Sequence, residues 1–531
     1  MDTVIEYVSH AAKSSAMLKL LQQSATKGNA TRAVGLYILY LVLYRYSNNS
    51  IGTRRRRDLP GPRGWPLLGN LIEMATLPFD QISQTHDLYY EKYGKVWTFT
   101  VPGLGRVLHV NDPDCLEHVL KTNFWAYEKG KVLQESLFDL LGNGVFAVDG
   151  HHWRWQRKLA SHIFNVKAFR DYTNNVFVHE SEIVCAYFDK MAEQGTVVDV
   201  HDIFLKFTLD SFGEVSFGQS FGCLDDPTKE VKFAVSFDRL NAQCGDRLFK
   251  GPWKLVERLN GDAKIVAFDR QVIQETALNI IRARRANGYD RKQKDLLQLF
   301  MEATDEDGQP LTDEMLMDSM LNFIIAGRDT TAQALSWMFY LMHRNQSDPQ
   351  IKEKLTAEID EVLGAKEDGL KPSYETYKQM RYAEACLYEA LRLYPSVPRN
   401  MKQCVQDDVL PIGGKGVKIY KGEFFAWSPW TMGRAEAIWG PDAKMYKPDR
   451  WMTGDKNSAT KFPAFHAGPR TCLGQQFATL EAVTLMAMLF QRFEFELVDP
   501  MNEPPYGPGL TLPVKHGLPV RVHRRDEPRA I

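Results

Sequence analysis

The chain has 531 residues, 44% of them hydrophobic and 25% charged, with a net charge of -1. That is ordinary globular composition, and a chain this close to neutral lacks the basic surplus of a nucleic-acid binder. Seven cysteines (Cys115, Cys185, Cys223, Cys244, Cys386, Cys404 and Cys472) show no framework spacing, which argues against a disulfide scaffold and suits reduced thiols in a body facing the cytosol.

Residues 3–23 carry an amphipathic pattern (Val4, Ile5, Val8, Ala12, Leu18, Leu21) suited to a membrane surface. Residues 33–44 form a run of twelve apolar positions. As a helix this run spans about 18 Å, against a hydrocarbon core of about 30 Å. Arg32 and Arg45 flank it, and Tyr37, Tyr40, Tyr44 and Tyr46 suit an interface. We expect 33–46 to be a membrane anchor whose depth in the bilayer the sequence leaves open. The arginine run 54–57 puts the following domain on the cytosolic side under the positive-inside rule. Leu59-Pro60-Gly61-Pro62 and Trp65-Pro66 then make a stiff hinge. The chain thus divides into an anchor region, 1–58, and a body, 59–531.

Within the body, 96–101 and 106–110 read as a hairpin turned through Pro102-Gly103. Helical patterns dominate from about residue 112. Two more short hairpins are expected, 417–420 with 424–427 and 510–514 with 518–522. The class is mainly α with small β-sheets. The longest helix is expected over 313–344, about 48 Å, with Thr312 as its cap and Asp313 and Glu314 in its first turn. Asp348-Pro349 opens the next.

Several constellations carry chemistry. In Trp153-Arg154-Trp155-Gln156-Arg157, Trp153 and Arg157 share one helix face, and Trp155 is the next candidate should the register differ by two. Arg154 and Lys158 point elsewhere, either as part of a basic patch for an acidic protein or as a solvated face. Ala326-Gly327-Arg328-Asp329-Thr330-Thr331 lies midway along the long helix. Gly327 costs about 1 kcal/mol against Ala there, which close approach of a planar ligand or dioxygen would explain. Thr330 can turn its hydroxyl onto a carbonyl one turn back, and Asp329 with Thr330 makes a carboxyl–hydroxyl pair able to pass protons. Glu389 and Arg392 stand at i, i+3 on a helix that ends at Pro395, and Arg450 offers a second guanidinium.

Phe465-His466-Ala467-Gly468-Pro469-Arg470-Thr471-Cys472-Leu473-Gly474 places Cys472 in a glycine-punctuated turn just before a helical pattern. Free N–H groups and the helix dipole favour a thiolate there. Gly468 and Gly474 allow close approach of the backbone, and Arg470 supplies a cation. A cysteine with no CxxC partner is a poor zinc or iron–sulfur site, but one thiolate suffices as the axial ligand of a haem.

This Phe-x-x-Gly-x-Arg-x-Cys-x-Gly pattern resembles the haem-binding loop of the cytochrome P450 family. The Ala-Gly-x-Asp-Thr segment, the Glu-x-x-Arg pair with a downstream arginine, the Trp-x-x-x-Arg spacing and the proline hinge of microsomal members resemble it too. The likeness runs from about residue 60 to 522 and implies the cytochrome P450 fold, a single haem-binding domain behind an N-terminal membrane anchor. By that resemblance Cys472 ligates the iron of haem b and Phe465 packs near the thiolate, with Gly468 and Gly474 framing the loop. Arg470, Trp153 and Arg157 reach the propionates. Ala326 and Gly327 face the haem, and Asp329 and Thr330 relay protons. Glu389, Arg392 and Arg450 lock the loop in place. Many animal fatty-acid hydroxylases have, where this chain has Ala326, a Glu that esterifies the haem, so the haem here should be held non-covalently. Motifs spread from Trp153 to Cys472 must meet at one cofactor, which argues against several domains.

The family's pocket positions nominate Phe138, Leu140, Phe146, Phe237, Leu240, Phe323, Ala326, Val397 and Val514 as walls of an apolar site. The spellings Ala326-Gly327-Arg328-Asp329-Thr330-Thr331, Leu391-Arg392-Leu393-Tyr394-Pro395-Ser396-Val397-Pro398 and Met432-Gly433-Arg434 resemble the plant and fungal fatty-acid and alkane hydroxylases. The resemblance therefore implies a monooxygenase that inserts one oxygen atom of O2 near the terminal carbon of a long-chain fatty acid or alkane. Sterols, terpenoids and xenobiotics are alternative substrates. A peroxide-using isomerase or dehydratase, and a non-catalytic haem carrier, are alternative classes. No dinucleotide fingerprint is evident, so electrons should come from NADPH through a separate cytochrome P450 reductase, with cytochrome b5 as a second donor. The expected location is the endoplasmic reticulum membrane with the catalytic domain facing the cytosol.

Overall fold

The helix Thr330–His343 is mostly apolar and buried on every side, with residues 331–342 all buried. Such a helix belongs at the centre of a large domain. The computed structural model describes residues 27–525 except 165–166, 250, 289–294, 365–370, 415 and 454–457. The amphipathic pattern at 3–23 lies outside the described residues. In chain order the helices used below are α1 (Lys27–Tyr40), α2 (Ile82–Tyr93), α3 (Gly150–Phe164), α4 (Lys167–Gln194), α5 (Val200–Phe217), α6 (Lys232–Arg247), α7 (Asp313–Ile324), α8 (Thr330–His343), α9 (Arg381–Leu393) and α10 (Gln475–Arg492). α8 packs between α5 and α9, and α10 lies along α4. Trp337 of α8 stacks on Tyr394 with ring centroids 4.2 Å apart, and its Nε1 donates to the Leu512 carbonyl at 2.8 Å.

The long helix forms, capped by Thr312, whose Oγ1 accepts from the Met315 N–H at 3.2 Å. It is not one regular helix: a π turn over Ile325–Asp329 separates α7 from α8.

The strands are β1 (Val96–Val101), β2 (Gly105–Val110), β3 (Tyr127–Glu128), β4 (Val198–Asp199), β5 (Asn400–Cys404), β6 (Asp408–Leu410), β7 (Val417–Ile419), β8 (Phe424–Trp427), β9 (Phe493–Leu497) and β10 (Pro519–Arg524). They make a five-stranded sheet in the order β1-β2-β8-β5-β3, a three-stranded sheet β4-β10-β9 and a pair β6-β7. The expected hairpin at 96–110 is present, in the register Val96↔Val110. The other two expected hairpins are not. β7 pairs with β6, while β8 lies between β2 and β5. All four residues of β8 are buried, so the strand needs a ladder on both edges. β10 pairs with β9 and β4, not with 510–514. The backbone of that segment is taken by side chains instead: the Leu510 N–H donates to Asn241 Oδ1 at 3.0 Å and the Leu512 N–H to Gln333 Oε1 at 2.7 Å.

At the N-terminus, α1 continues as a π turn over Leu41–Arg45. Among the described residues no helix is long and apolar enough to cross a membrane. Val34, Leu36, Tyr37, Ile38 and Leu39 are nevertheless exposed. The arginine run beyond them is only partly a solvated charge run, with Arg54 and Arg57 exposed. Arg56 pairs with Asp58 at 2.6 Å and Glu423 at 3.2 Å, and Arg54 lies over the Tyr420 ring at 4.1 Å. Arg106 donates to the Arg54 carbonyl at 2.9 Å and Asn49 Oδ1 at 2.8 Å. The boundary expected at residue 58 thus falls inside a segment docked on the body.

Candidate active site

The π turn in the long helix sets one wall of the site. Thr330 Oγ1 donates to the Ala326 carbonyl across the widened turn, and Ser396 Oγ donates to the Thr330 carbonyl at 2.7 Å. Ala326, Gly327 and Thr330 face a cavity of about 450 Å³. A Cβ on Gly327 would collide with the Phe212 ring, so helix packing alone already demands glycine there. Asp329 points elsewhere, because successive residues on a helix diverge by about 100°. Its Oδ2 accepts from Asn241 Nδ2 at 2.6 Å and its Oδ1 from Arg328 Nη1 at 3.0 Å. Arg328 also pairs with Asp238. The expected Asp329–Thr330 pair is therefore split between a buried polar cluster and the cavity. Burial pushes the Asp329 carboxyl up, and Arg328 draws it part of the way back.

The opposite wall is the cysteine loop that leads into α10. The Cys472 N–H donates to the Phe465 carbonyl at 2.9 Å and closes the loop. Gly468 has φ 66°, and a Cβ there would strike the Leu120 carbonyl, so only glycine fits. A Cβ on Gly474 would stand 4.0 Å from Cys472 Sγ, an ordinary contact. Phe465 packs edge-on against Tyr388, with ring centroids 5.8 Å apart. Six of the seven cysteines are buried, whereas Cys472 has open surface. That surface faces the cavity and not bulk water. Burial raises the thiol pKa, while the Gly474 N–H and the Arg157 charge favour the thiolate.

Cations gather on one side of this loop. The Arg470 guanidinium lies over the Trp153 ring at 4.4 Å and donates to Asp149 Oδ1 at 2.8 Å and the Val148 carbonyl at 3.0 Å. Its buried Nε has no partner. Arg157 donates to the Thr471 carbonyl. Trp153 lines the cavity, whereas Trp155 stacks on His152. Lys129 and Lys402, which sequence reading missed, join this cluster. Burial and the Arg470 charge lower Lys129 to about 8, and Lys402 lies well below its ordinary value for the same reasons. Four crowded cations, with Asp149 and Glu128 as the nearby carboxylates and one orphaned guanidinium N–H, suit a ligand with two negative charges. The two propionates of a haem whose iron meets Cys472 meet that demand, so the residues present fit the group. No pattern in the sequence Asn400–Cys404 singled out Lys402.

Of the nominated pocket walls, Phe146, Phe323, Ala326 and Val397 line the cavity. Phe138, Leu140, Phe237, Leu240 and Val514 do not, which corrects their assignment. Leu140, Phe237, Leu240 and Val514 are core residues at most 4% exposed, and Phe138 faces outward under Arg270. The reason is helical phase. In the helix Gly130–Leu141 it is Leu133, Leu137 and Leu141, four apart, that turn to the cavity, so Phe138 and Leu140, each one position off that row, turn away. Glu389, Arg392 and Arg450 do assemble, with Arg392 Nη2 2.7 Å and Arg450 Nε 3.3 Å from Glu389 Oε1.

A family model described as Cytochrome P450 matches residues 59–518. The chain is 38% identical over 518 residues to Cytochrome P450 monooxygenase cyp1 of Mycosarcoma maydis, covering 93% of this chain and 80% of that relative. It is 33% identical to Cytochrome P450 704B1 of Arabidopsis thaliana, covering 89% and 96% of the two chains. To Cytochrome P450 86B1 of the same plant it is 34% identical, covering 92% and 90%. The match spans every residue that builds the loop, the long helix and the cation cluster, and the chain belongs to the cytochrome P450 family: it is a monooxygenase with a thiolate-ligated haem, fed with NADPH-derived electrons by a reductase partner.

Proposed function

We propose that this monooxygenase hydroxylates a long-chain fatty acid or alkane at or near its terminal carbon. The cavity wall carries that reading. Around Cys472 and Thr330 it is built largely of Leu133, Leu137, Phe146, Phe323 and Val397, which suits an unbranched alkyl chain and little else polar. The Ala-Gly-Arg-Asp-Thr-Thr spelling and the plant and fungal origin of the relatives support the same branch.

Bound through Cys472, the haem supplies the reduction and cleavage of dioxygen. This chain's own residues do the rest. Arg157, Arg470, Lys129 and Trp153 hold the propionate edge, and Lys402 adds charge behind them. Thr330 Oγ1 holds a proton at the cavity wall. Asp329, its carboxyl raised by burial, keeps a second proton near neutral pH at the far side of the same helix turn. The apolar walls exclude water from the reacting carbon.

The exposed apolar face of α1 supports attachment to the endoplasmic reticulum membrane, with the body in the cytosol. Arg154 and Lys158 are exposed on α3 and suit the acidic face of NADPH-cytochrome P450 reductase, with cytochrome b5 as a second donor. The test is product analysis with reductase and NADPH on a panel from lauric to oleic acid and matching alkanes. Terminal or near-terminal alcohols are expected. Turnover of a sterol or a small aromatic, with no oxidation of any fatty acid or alkane, overturns the substrate assignment.

A further inference from the structure

Among the described residues four cations line the cavity: Lys129, Arg157, Arg470 and Arg399. The first three belong to the propionate cluster. Arg399 does not. It sits in the turn between α9 and β5, and its guanidinium is sandwiched between the rings of Phe79 and Phe249 at 5.0 and 5.1 Å. It donates to Ser83 Oγ at 3.2 Å and lies beside the Tyr506 hydroxyl. No carboxylate of the described residues pairs with it. Glu73, the one carboxylate in the cavity wall, is already taken by the Tyr89 hydroxyl and by Asn70 Nδ2.

Beside Arg399 stand three more unspent polar groups. Trp97 stacks on His109 at 4.3 Å, and His109 contacts His86 at 4.5 Å. All three line the cavity and are at most 9% exposed. Trp97 Nε1, His109 Nδ1 and His86 Nδ1 have no hydrogen-bond partner. An indole N–H can only donate. Buried orphan donors of this kind are costly unless a ligand satisfies them.

We propose that Arg399 is the anchor for the substrate's carboxylate, with the Trp97 N–H and the His86 and His109 rings completing its cradle. The inference rests on the alkyl-substrate reading of the same cavity and narrows it from alkanes to acids. A guanidinium and a carboxylate form a charge-assisted pair, and the flanking phenyl faces keep water off it. Ile82, His86 and Phe249 line the cavity near Arg399, with Phe79 and Ser83 packed against the guanidinium, whereas Trp153, Arg157 and the cysteine loop line it elsewhere. An acid held at Arg399 would therefore extend its methyl end towards Thr330 and Cys472. Terminal selectivity then follows from tethering the opposite end.

The experiment measures equilibrium binding to the full-length holoenzyme by the substrate-induced spectral shift. The probes are one long-chain acid, its methyl ester and the matching alkane. Wild type should favour the acid over the ester by about tenfold to a hundredfold. Arg399→Leu should weaken acid binding by that factor and leave the ester unchanged, while Arg399→Lys should recover most of the loss. Acid and ester bound alike by wild type overturn the anchor, and that comparison needs no variant to fold. Equal losses for acid and ester in an Arg399→Leu protein that keeps its thiolate-type ferrous-CO spectrum overturn it as well. If ester and alkane bind and are oxidised terminally without an acid preference, the anchor falls and the alkyl reading stands. If no alkyl probe binds or is oxidised, both fall.

Discussion

Loss of Glu389 should be among the most damaging single changes in the molecule. Its side chain is fully buried and accepts five hydrogen bonds. Oε1 accepts from Arg392 Nη2 at 2.7 Å, the Lys447 N–H at 2.9 Å and Arg450 Nε at 3.3 Å. Oε2 accepts from Arg392 Nε at 2.8 Å and Trp451 Nε1 at 2.9 Å. Arg392, equally buried, also donates to the carbonyls of Gly433, Ala443 and Met445. The network thus ties α9 to the stretch that leads into the cysteine loop. Glu389→Ala strands the Arg392 charge where water cannot reach it, a loss of about 3–5 kcal/mol. Against a total stability of about 5–15 kcal/mol that is about a fifth or more. Glu389→Gln keeps the shape but turns an N–H pair onto guanidinium donors, so it should cost nearly as much. A Glu389→Leu/Arg392→Leu double variant should lose less than the sum of its singles, since neither charge is then stranded. Urea unfolding and haem retention, read as the ferrous-CO spectrum, check all three. A Glu389→Gln protein within about 1 kcal/mol of wild type, with full haem content, would refute the argument from stranded charge.

Thr330→Ala should leave haem content and substrate binding intact but lower product formed per NADPH by about tenfold to a thousandfold, with hydrogen peroxide rising. Unchanged coupling would reduce Thr330 to a helix-loosening residue. Burial raises the Glu481 carboxyl from 4.5 to about 8, beside Ser211 Oγ. Across that window the native state holds a proton that the unfolded chain has released, so this group's contribution to stability falls as pH rises and levels off above it. Glu481→Gln should therefore gain on wild type as the pH is raised through the window. Urea midpoints at several pH values test this, and a variant that loses ground on wild type as the pH rises through the window would contradict it. Removing residues 1–46 should leave the fold intact with weaker membrane association. Removing 1–58 should cost a few kcal/mol more, because it strips Arg106 of the Arg54 carbonyl and Asn49 Oδ1, and Glu423 of Arg56. Equal melting temperatures for the two truncates would show those contacts to be idle.

Whatever depends on neighbours along the chain was legible in the sequence. The Thr312 cap, the hairpin at 96–110 and the i, i+3 pairing of Glu389 with Arg392 are set by spacing within one or two turns. The same holds for the glycine-framed turn at Cys472, because helical period, turn chemistry and capping act over only a few residues. Tertiary structure decided what depends on residues far away. β7, β8 and β10 are three to six residues long, too short to encode a partner, and for β8 burial on both faces required a ladder on each edge. Asp329 and Thr330 are adjacent in sequence yet serve different faces of one helix, a matter of rotation that only the packing of α7 and α8 against α5 and α6 settles. Lys129, Lys402 and Arg399 read as ordinary cations in the sequence. A charge is solvated or buried according to what folds over it, and here the covering groups come from residues as distant as Phe79 and Phe249, or Arg470. The sequence thus determined the chemistry of the iron-binding loop, while the tertiary structure decided which buried charges remain for other ligands.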